Sequence, residues 1–463
     1  MRGSVIKKLA AALAGLLLPV SAWPQAPGGP LAGGVPAGTA TSAVIDLSLD
    51  EAINRGLAHN LGILLAKESV EGARGDRKEA LADLLPQLRA GAYAVRQKVS
   101  LAAFGFAGFP GFPTIIGPFN VFDARGYASQ TIFDLHAIGK AQERAAQLKA
   151  ARYQETDTRD LVVLSVAQLY LEVVSASSRI EAVSARLATA QALYEIANDR
   201  KQSGLAAGIE VLRAQVELEA ERQRLIVAKD EAAKRKLELA RAIGLPLGQA
   251  FRITDEMPFA PVGSLEPEDI LKRAYLTRAD LRAAEERVRA AENARTAALG
   301  EGLPSLAVTG DFGAIGNDIG TARTTFTLGA GVRVPLFEGG RAQARLHTAE
   351  ARLKEERAAL EDLRAEIYYE VQAVLLDLSA SEERVKVADG AFELGRQQLD
   401  QARDRFAAGV AGNIDVVQAQ EALARASEDR IESLFALNMA KAALARTLGA
   451  AESGYAQILR GRQ

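Results

Sequence analysis

The chain of 463 residues contains no cysteine. Structural disulfides, cysteine-ligated zinc, thiol catalysis and thioether lipidation are therefore excluded. Histidine is almost as scarce: His59, His136 and His347 are isolated and form no His-rich metal site within one chain. Aromatics make up 5% of the residues, and 56 Lys and Arg balance 58 Asp and Glu. No basic excess points to nucleic acid and no charge run to a tail. HExxH, the P-loop, GxSxG and the dinucleotide glycine fingerprint are all missing. The GAG at 329–331 lies in a strand-like segment without the helix and third glycine a fingerprint needs. No enzyme activity and no cofactor are expected. Past the N-terminus there is no run of about eighteen apolar residues. The best candidate, LVVLSVAQLYLEVV (161–174), is interrupted by Ser165, Gln168 and Glu172.

What is present begins with an export signal. Arg2, Lys7 and Lys8 precede an apolar stretch from Leu9 to Val20 and a small-residue cleavage site at Val20-Ser21-Ala22. An exported chain without an apolar spanning helix is either soluble beyond the inner membrane or enters an outer membrane as a β-barrel. Residues 23–46, rich in Pro, Gly and Ala, read as a disordered leader.

The remainder is written twice. SGLAAGIEVLRAQVEL (203–218) aligns with AGVAGNIDVVQAQEAL (408–423), pairing Gly204 with Gly409 and Glu210 with Asp415. RAIGL (241–245) pairs with RTLGA (446–450), DLLPQL (83–88) with EGLPSL (301–306), and QTIFD (130–134) with RVPLFE (333–338). The boundaries that follow are a signal peptide (1–22), the leader (23–46), a first repeat (47–245), a linker (246–266), a second repeat (267–450) and a tail (451–463). Helices are expected at about 49–84, 209–244, 267–299 and 414–449, the first opened by a Ser48–Glu51 capping box. Two longer ones, 137–203 and 340–408, would each reach about 100 Å at 1.5 Å per residue.

Strands are expected at about 87–100, 121–133, 305–314 and 324–337. In the last, Phe326, Leu328, Ala330, Val332, Val334 and Leu336 alternate with Thr325, Thr327, Gly329, Gly331 and Arg333. Ten-residue alternation fits a transmembrane barrel. Four strands cannot close one, so other copies must meet the edges.

These residues carry a resemblance. LSLDEAINRGLAHN, LLPQL, SQTIFD, SGLAAGIEVLRAQ and ARAIGLP, then LPSL, RVPLFEGGRAQ, RFAAGVAGNIDVVQAQ and ALARTLG, resemble in order the TolC-like outer-membrane factor (outer-membrane efflux protein) family across about 47–450. The resemblance implies a mixed α+β homotrimer: a long α-helical coiled-coil barrel plus a transmembrane β-barrel with four strands per protomer, twelve in total. It implies a place in outer-membrane lipid, and work with a periplasmic adaptor (membrane fusion) protein and an inner-membrane pump in efflux or type I secretion. A non-channel periplasmic coiled-coil structural protein is the alternative; it leaves the alternating strands unexplained.

At the tips, Gly204 and Gly409 suit left-handed helix ends, Asn413 suits an N-cap, and Glu210 and Asp415 fall in first helical turns. The resemblance adds an adaptor-docking role for Ser203, Gly204, Leu205, Ala408, Gly409 and Val410. It also adds a periplasmic aperture at Glu210, Asp415, Gln418, Arg200 and Arg405. A threefold Asp415 ring would hold cations, while Gln418 stands where some members carry a second acid. Arg200 and Arg405 either pair with acids on neighbouring helices or are solvated charges. Finally, LAAFGFAGFPGFPTIIGPFN (101–120) reads as an extracellular loop carrying Phe104, Phe106, Phe109, Phe112 and Phe119. It would pack on a neighbouring loop, lie in the lipopolysaccharide interface, or plug the mouth.

Overall fold

The computed structural model describes residues 33–105, 113–204, 207–257, 259–261, 263, 266–449, 451–452 and 454. The expected signal peptide (1–22) and residues 23–32 of the expected leader lie outside them. Two long helices dominate: α3 (Leu135–Gln202) and α7 (Arg341–Ala407), of 68 and 67 residues. Each is followed by a 35-residue partner: α4 (Gly208–Ala242) and α8 (Asn413–Thr447).

The expected helices at 49–84 and 267–299 are each broken in two. Helix α1 (Leu49–His59) gives way to α2 (Leu61–Ala82) at Asn60, where φ is −65° and ψ 130°. Helix α5 (Pro267–Thr277) gives way to α6 (Ala279–Gly300) at Arg278, with φ −61° and ψ 126°. A single extended residue between apolar-periodic segments contains neither Pro nor Gly, so the sequence pattern runs straight through it. Ser48 and Glu51 do form the reciprocal capping box, with Ser48 N–H donating to Glu51 Oε2 at 2.9 Å.

The leader is a second correction. Residues 33–46 are not disordered but laid on the molecule's waist. Gly34 N–H donates to Arg241 O, Val35 N–H to His59 O and Ala37 N–H to Gly244 O. Strand β1 (Ile45–Leu47) then pairs in parallel with β4 (Phe251–Ile253). Backbone pairing orders this segment where composition alone reads disorder.

Strands β2 (Gln87–Ser100), β3 (Ile115–Phe133), β5 (Ser305–Gly316) and β6 (Arg323–Arg333) form one antiparallel sheet in the order β2-β3-β5-β6. Residues 334–337 fall outside β6, and β3 begins earlier than expected. The helices keep the same lateral order. Above the waist α2, α3, α6 and α7 pack side by side; below it the order is α4, α3, α8 and α7. One flank of the protomer is therefore α2, α4 and β2, and the other is α7 and β6.

Two of the cores that hold this layer together lie at and beside the waist. At the waist, Ile53, Ile63, Val162, Val166, Tyr170, Leu239 and Ile243 are nearly inaccessible. Beside them Ile270, Leu281, Ile367, Val371, Leu437 and Leu444 join α5 to α8. Each such side chain contributes about 1.5–3 kcal/mol. Helix α3 contains one stretch long and apolar enough to cross a membrane by length and composition. In the fold, Val162, Val163, Val166, Ala167, Val173 and Val174 of α3 sit inside the waist core instead.

Candidate functional site: the helix tips and the faces of the sheet

Both tips end in the same backbone device. Gly204 and Gly409 have φ of +75° and +74°, a region L side chains avoid. Gly204 N–H donates to Lys201 O at 3.0 Å and Gly409 N–H to Phe406 O at 3.0 Å. In the second tip Val410 N–H also donates to Arg405 O at 3.0 Å, which completes a Schellman motif. Ser203 and Ala408 are the C-cap residues, and both are exposed. Val410 is exposed, and Leu205 lies outside the described residues.

The N-cap of α8 is Gly412, not Asn413, which is already helical. Asp415 turns back on this cap: its Oδ2 accepts from Gly412 N–H at 3.3 Å. Asp415 and Gln418 are exposed, and Glu210 is half-buried in the first turn of α4.

Within one copy, Arg200 meets a carbonyl and a ring. It donates to Phe406 O at 2.7 Å, and its guanidinium stacks on the Phe406 ring at 4.5 Å. It therefore ties the end of α3 to the end of α7 within one protomer. Phe406 itself is 3% exposed and packs with Leu193, Leu399, Val416 and Ala419. Arg405 is exposed, and among the described residues it takes part in no ion pair. The tip's central residue, Phe406, is missed by sequence reasoning because it pairs in the repeat with Lys201, so similarity between the halves gives no signal for it.

Higher on the same helices, Glu221 is 1% exposed and is met by Arg186 at 2.5 Å and Arg224 at 2.5 Å. At the waist, Arg446 reaches Asp157 at 3.2 Å, and Arg278 holds Asp280 at 2.6 Å and also Glu370. Asp160 accepts from Glu452 N–H at 3.2 Å. Burial raises the Asp160 carboxyl to about 6. At Asp280 burial is outweighed by the Arg278 hydrogen bonds, which hold its carboxyl below the usual range. These contacts span up to 292 residues of sequence, beyond the reach of any local pattern.

The register gives the sheet two distinct faces. One pairing line runs Ala90, Gly126, Phe312, Phe326; others on that face join Leu88 to Ala128 and Val308 to Ala330. The opposite face carries Arg89, Tyr127, Asp311 and Thr327 on one line, with Tyr93, Asp123, Arg125 and Thr325 close by. There Arg125 bonds Asp123 at 2.9 Å and also Asp311, and Tyr93 Oη donates to Asp123 at 3.3 Å. Strands β2 and β3 look weak in sequence because their apolar face is built largely of Ala and Gly.

Of the aromatic loop, Phe104 is 68% exposed at the end of a short 3-10 turn. Phe119 is not in the loop but in β3, opposite Gln97 on the charged face. Phe106, Phe109 and Phe112 lie outside the described residues.

An open sheet with one apolar and one charged face, carried on helices about 100 Å long, defines a membrane-inserting strand-and-helix protein. The outer membrane efflux protein family matches residues 52–245 and 270–450. The chain belongs to that family, and it is an outer-membrane protein. It is 26% identical over 419 residues to the pyoverdine export outer membrane protein OpmQ of Pseudomonas aeruginosa, covering 87% of this chain and 85% of that protein. Its fold is similar to that of the outer membrane protein VceC of Vibrio cholerae, with TM-score 0.73 and 23% identity over 87% of this chain and 96% of that one. It is likewise similar to the Campylobacter jejuni CmeC outer membrane channel, with TM-score 0.76 and 18% identity over 90% of each.

Proposed function

We propose that three copies assemble into one duct, the exit channel of a tripartite efflux or type I secretion system. The observation that carries this is the open sheet: β2 and β6 each leave an edge unpaired in one copy. Bare edges are not tolerated in lipid, so neighbouring copies must supply the missing strands. Four strands per copy make twelve in a trimer. The helices support the same join, since the β2 flank ends in α4 and the β6 flank in α7. Exposed apolar residues lie on both, including Ile226 at 69% and Val387 at 72%. The join is head-to-tail, which closes as a ring. The matching break-strand-strand-long-helix order of the two halves fits an internal duplication.

The duct is passive. Its resting tip closes around Asp415, and an adaptor docking on Ser203-Gly204-Leu205 and Ala408-Gly409-Val410 widens it while an inner-membrane pump supplies the energy. Planar-bilayer conductance tests this reading. The purified protein should open discrete channels whose divalent-cation block weakens in Asp415→Ala. Unchanged block would remove the carboxylate ring. Recovery of the native protein from the soluble periplasm would remove the channel. Bulky replacements at Ala408 and Val410 should abolish adaptor cross-linking; undiminished cross-linking would remove the docking site.

A further inference from the structure

The outward, apolar face of the sheet is uncharged over β3, β5 and β6. On β3 it presents Phe122, Ala124, Gly126 and Ala128; on β5, Val308, Gly310, Phe312 and Ala314; on β6, Thr324, Phe326, Leu328, Ala330 and Val332. Strand β2 follows suit through Leu88, Ala90, Ala92 and Ala94, and then presents Arg96 and Lys98. Arg96 is opposite Asn120. The register shift between Gln97 and Val99 puts the extra residue on β3, so alternation along β2 continues and Lys98 shares the face of Arg96. Both are exposed, and no carboxylate shares this face on the four strands.

Height decides what they meet. At about 3.4 Å per residue and a tilt near 40°, Arg96 lies roughly 5 Å and Lys98 roughly 10 Å past Ala94. They lie toward the 101–114 connection, the end away from the helices. That is where an apolar band gives way to headgroups on the outer leaflet. Long cationic side chains lay their stems on apolar surface and extend their charge to that level.

We propose that Arg96 and Lys98, with the Asn120 amide beside them, bind the phosphate of an outer-leaflet lipid headgroup, one site per copy. This rests on the membrane-barrel reading above. Charge complementarity selects the occupant: a guanidinium and an ammonium facing lipid, with no acid to neutralise them, match a phosphate monoester or diester. The second hairpin carries no cation on this face, so the site belongs to the first hairpin alone.

Native mass spectrometry of the detergent-extracted protein, titrated with bisphosphorylated lipid A, tests the site. Wild type should retain the lipid, and Arg96→Gln/Lys98→Gln should bind it roughly tenfold more weakly. Arg89→Gln, on the opposite face of the same strand, should bind as wild type does. Three results would overturn the proposal: equal retention by the double variant, equal retention of dephosphorylated lipid A, or displacement by millimolar inorganic phosphate, which would make it a soluble-anion site. The same spectra report the mass of the assembly, so failure of the trimer reading is seen separately.

Discussion

The two halves of this chain share a backbone and differ in chemistry. Asn60 and Arg278 break their helices at almost the same φ and ψ. Asn60 does so with a local cap, its Oδ1 accepting from Gly62 N–H at 2.8 Å. Arg278, buried, does so with ion pairs to Asp280 and to Glu370 on another helix. The tips repeat the contrast. Gly204 and Gly409 are conformational twins, yet Phe406 anchors one tip where Lys201 stands in the other. So do the outer loops: the first hairpin is joined by the Phe-rich 101–114 segment, the second by Asn317–Ala322, whose Asp318 accepts from Thr321 N–H at 2.8 Å. At the tips the left-handed geometry needed by both halves is kept by glycine. The side chains that satisfy that geometry are free to diverge.

Substitutions at paired positions sharpen this contrast. The largest difference should come at the helix breaks. Arg278→Ala leaves two carboxylates without their buried cation and should cost about 3 kcal/mol. Asn60→Ala loses one cap and should cost about 1 kcal/mol. Denaturant unfolding of the detergent-solubilised protein reads both, and equal costs would mean the breaks are held by backbone alone.

Next come the tips. Phe406→Ala removes a packed ring and the Arg200 stack and should cost about 3 kcal/mol, with larger conductance as the tip loosens. Lys201→Ala, at the paired position, should stay within about 0.5 kcal/mol. The glycines should behave alike: Gly204→Ala and Gly409→Ala should each cost about 1 kcal/mol, and a difference between them would show that the tips are not conformational equals.

A further comparison concerns pH at the waist. The Asp160 carboxyl sits at about 6 in the folded chain, above its ordinary value. Its protonated form therefore favours folding at low pH, and that contribution is lost as pH rises through about 6. Asp160→Asn should melt higher relative to wild type at pH 7.5 than at pH 5. A melting difference independent of pH would place the titration elsewhere.

Much of the architecture can be read from sequence, because the signals that carry it are long or repeated. Helices of 68 and 67 residues announce themselves through period, and the paired prolines, glycines and tip motifs locate the turns. The broken helices escape because one extended residue has no compositional signature. The ordered leader escapes because its stability comes from backbone bonds to residues some 200 positions away, such as Gly34 to Arg241. The faces of β2 and β3 escape because Ala and Gly register as neutral until Phe312 and Phe326 are seen beside them. At the tips, positions can be read but partners cannot, as Arg200 illustrates through its ring and carbonyl contacts with Phe406.

The central claim is that β2 of one copy meets β6 of the next. The mass of the assembly extracted from outer membranes, read by native mass spectrometry, tests it most directly. A single species of three chains is predicted; a folded monomer, its sheet edges left open, would contradict the account.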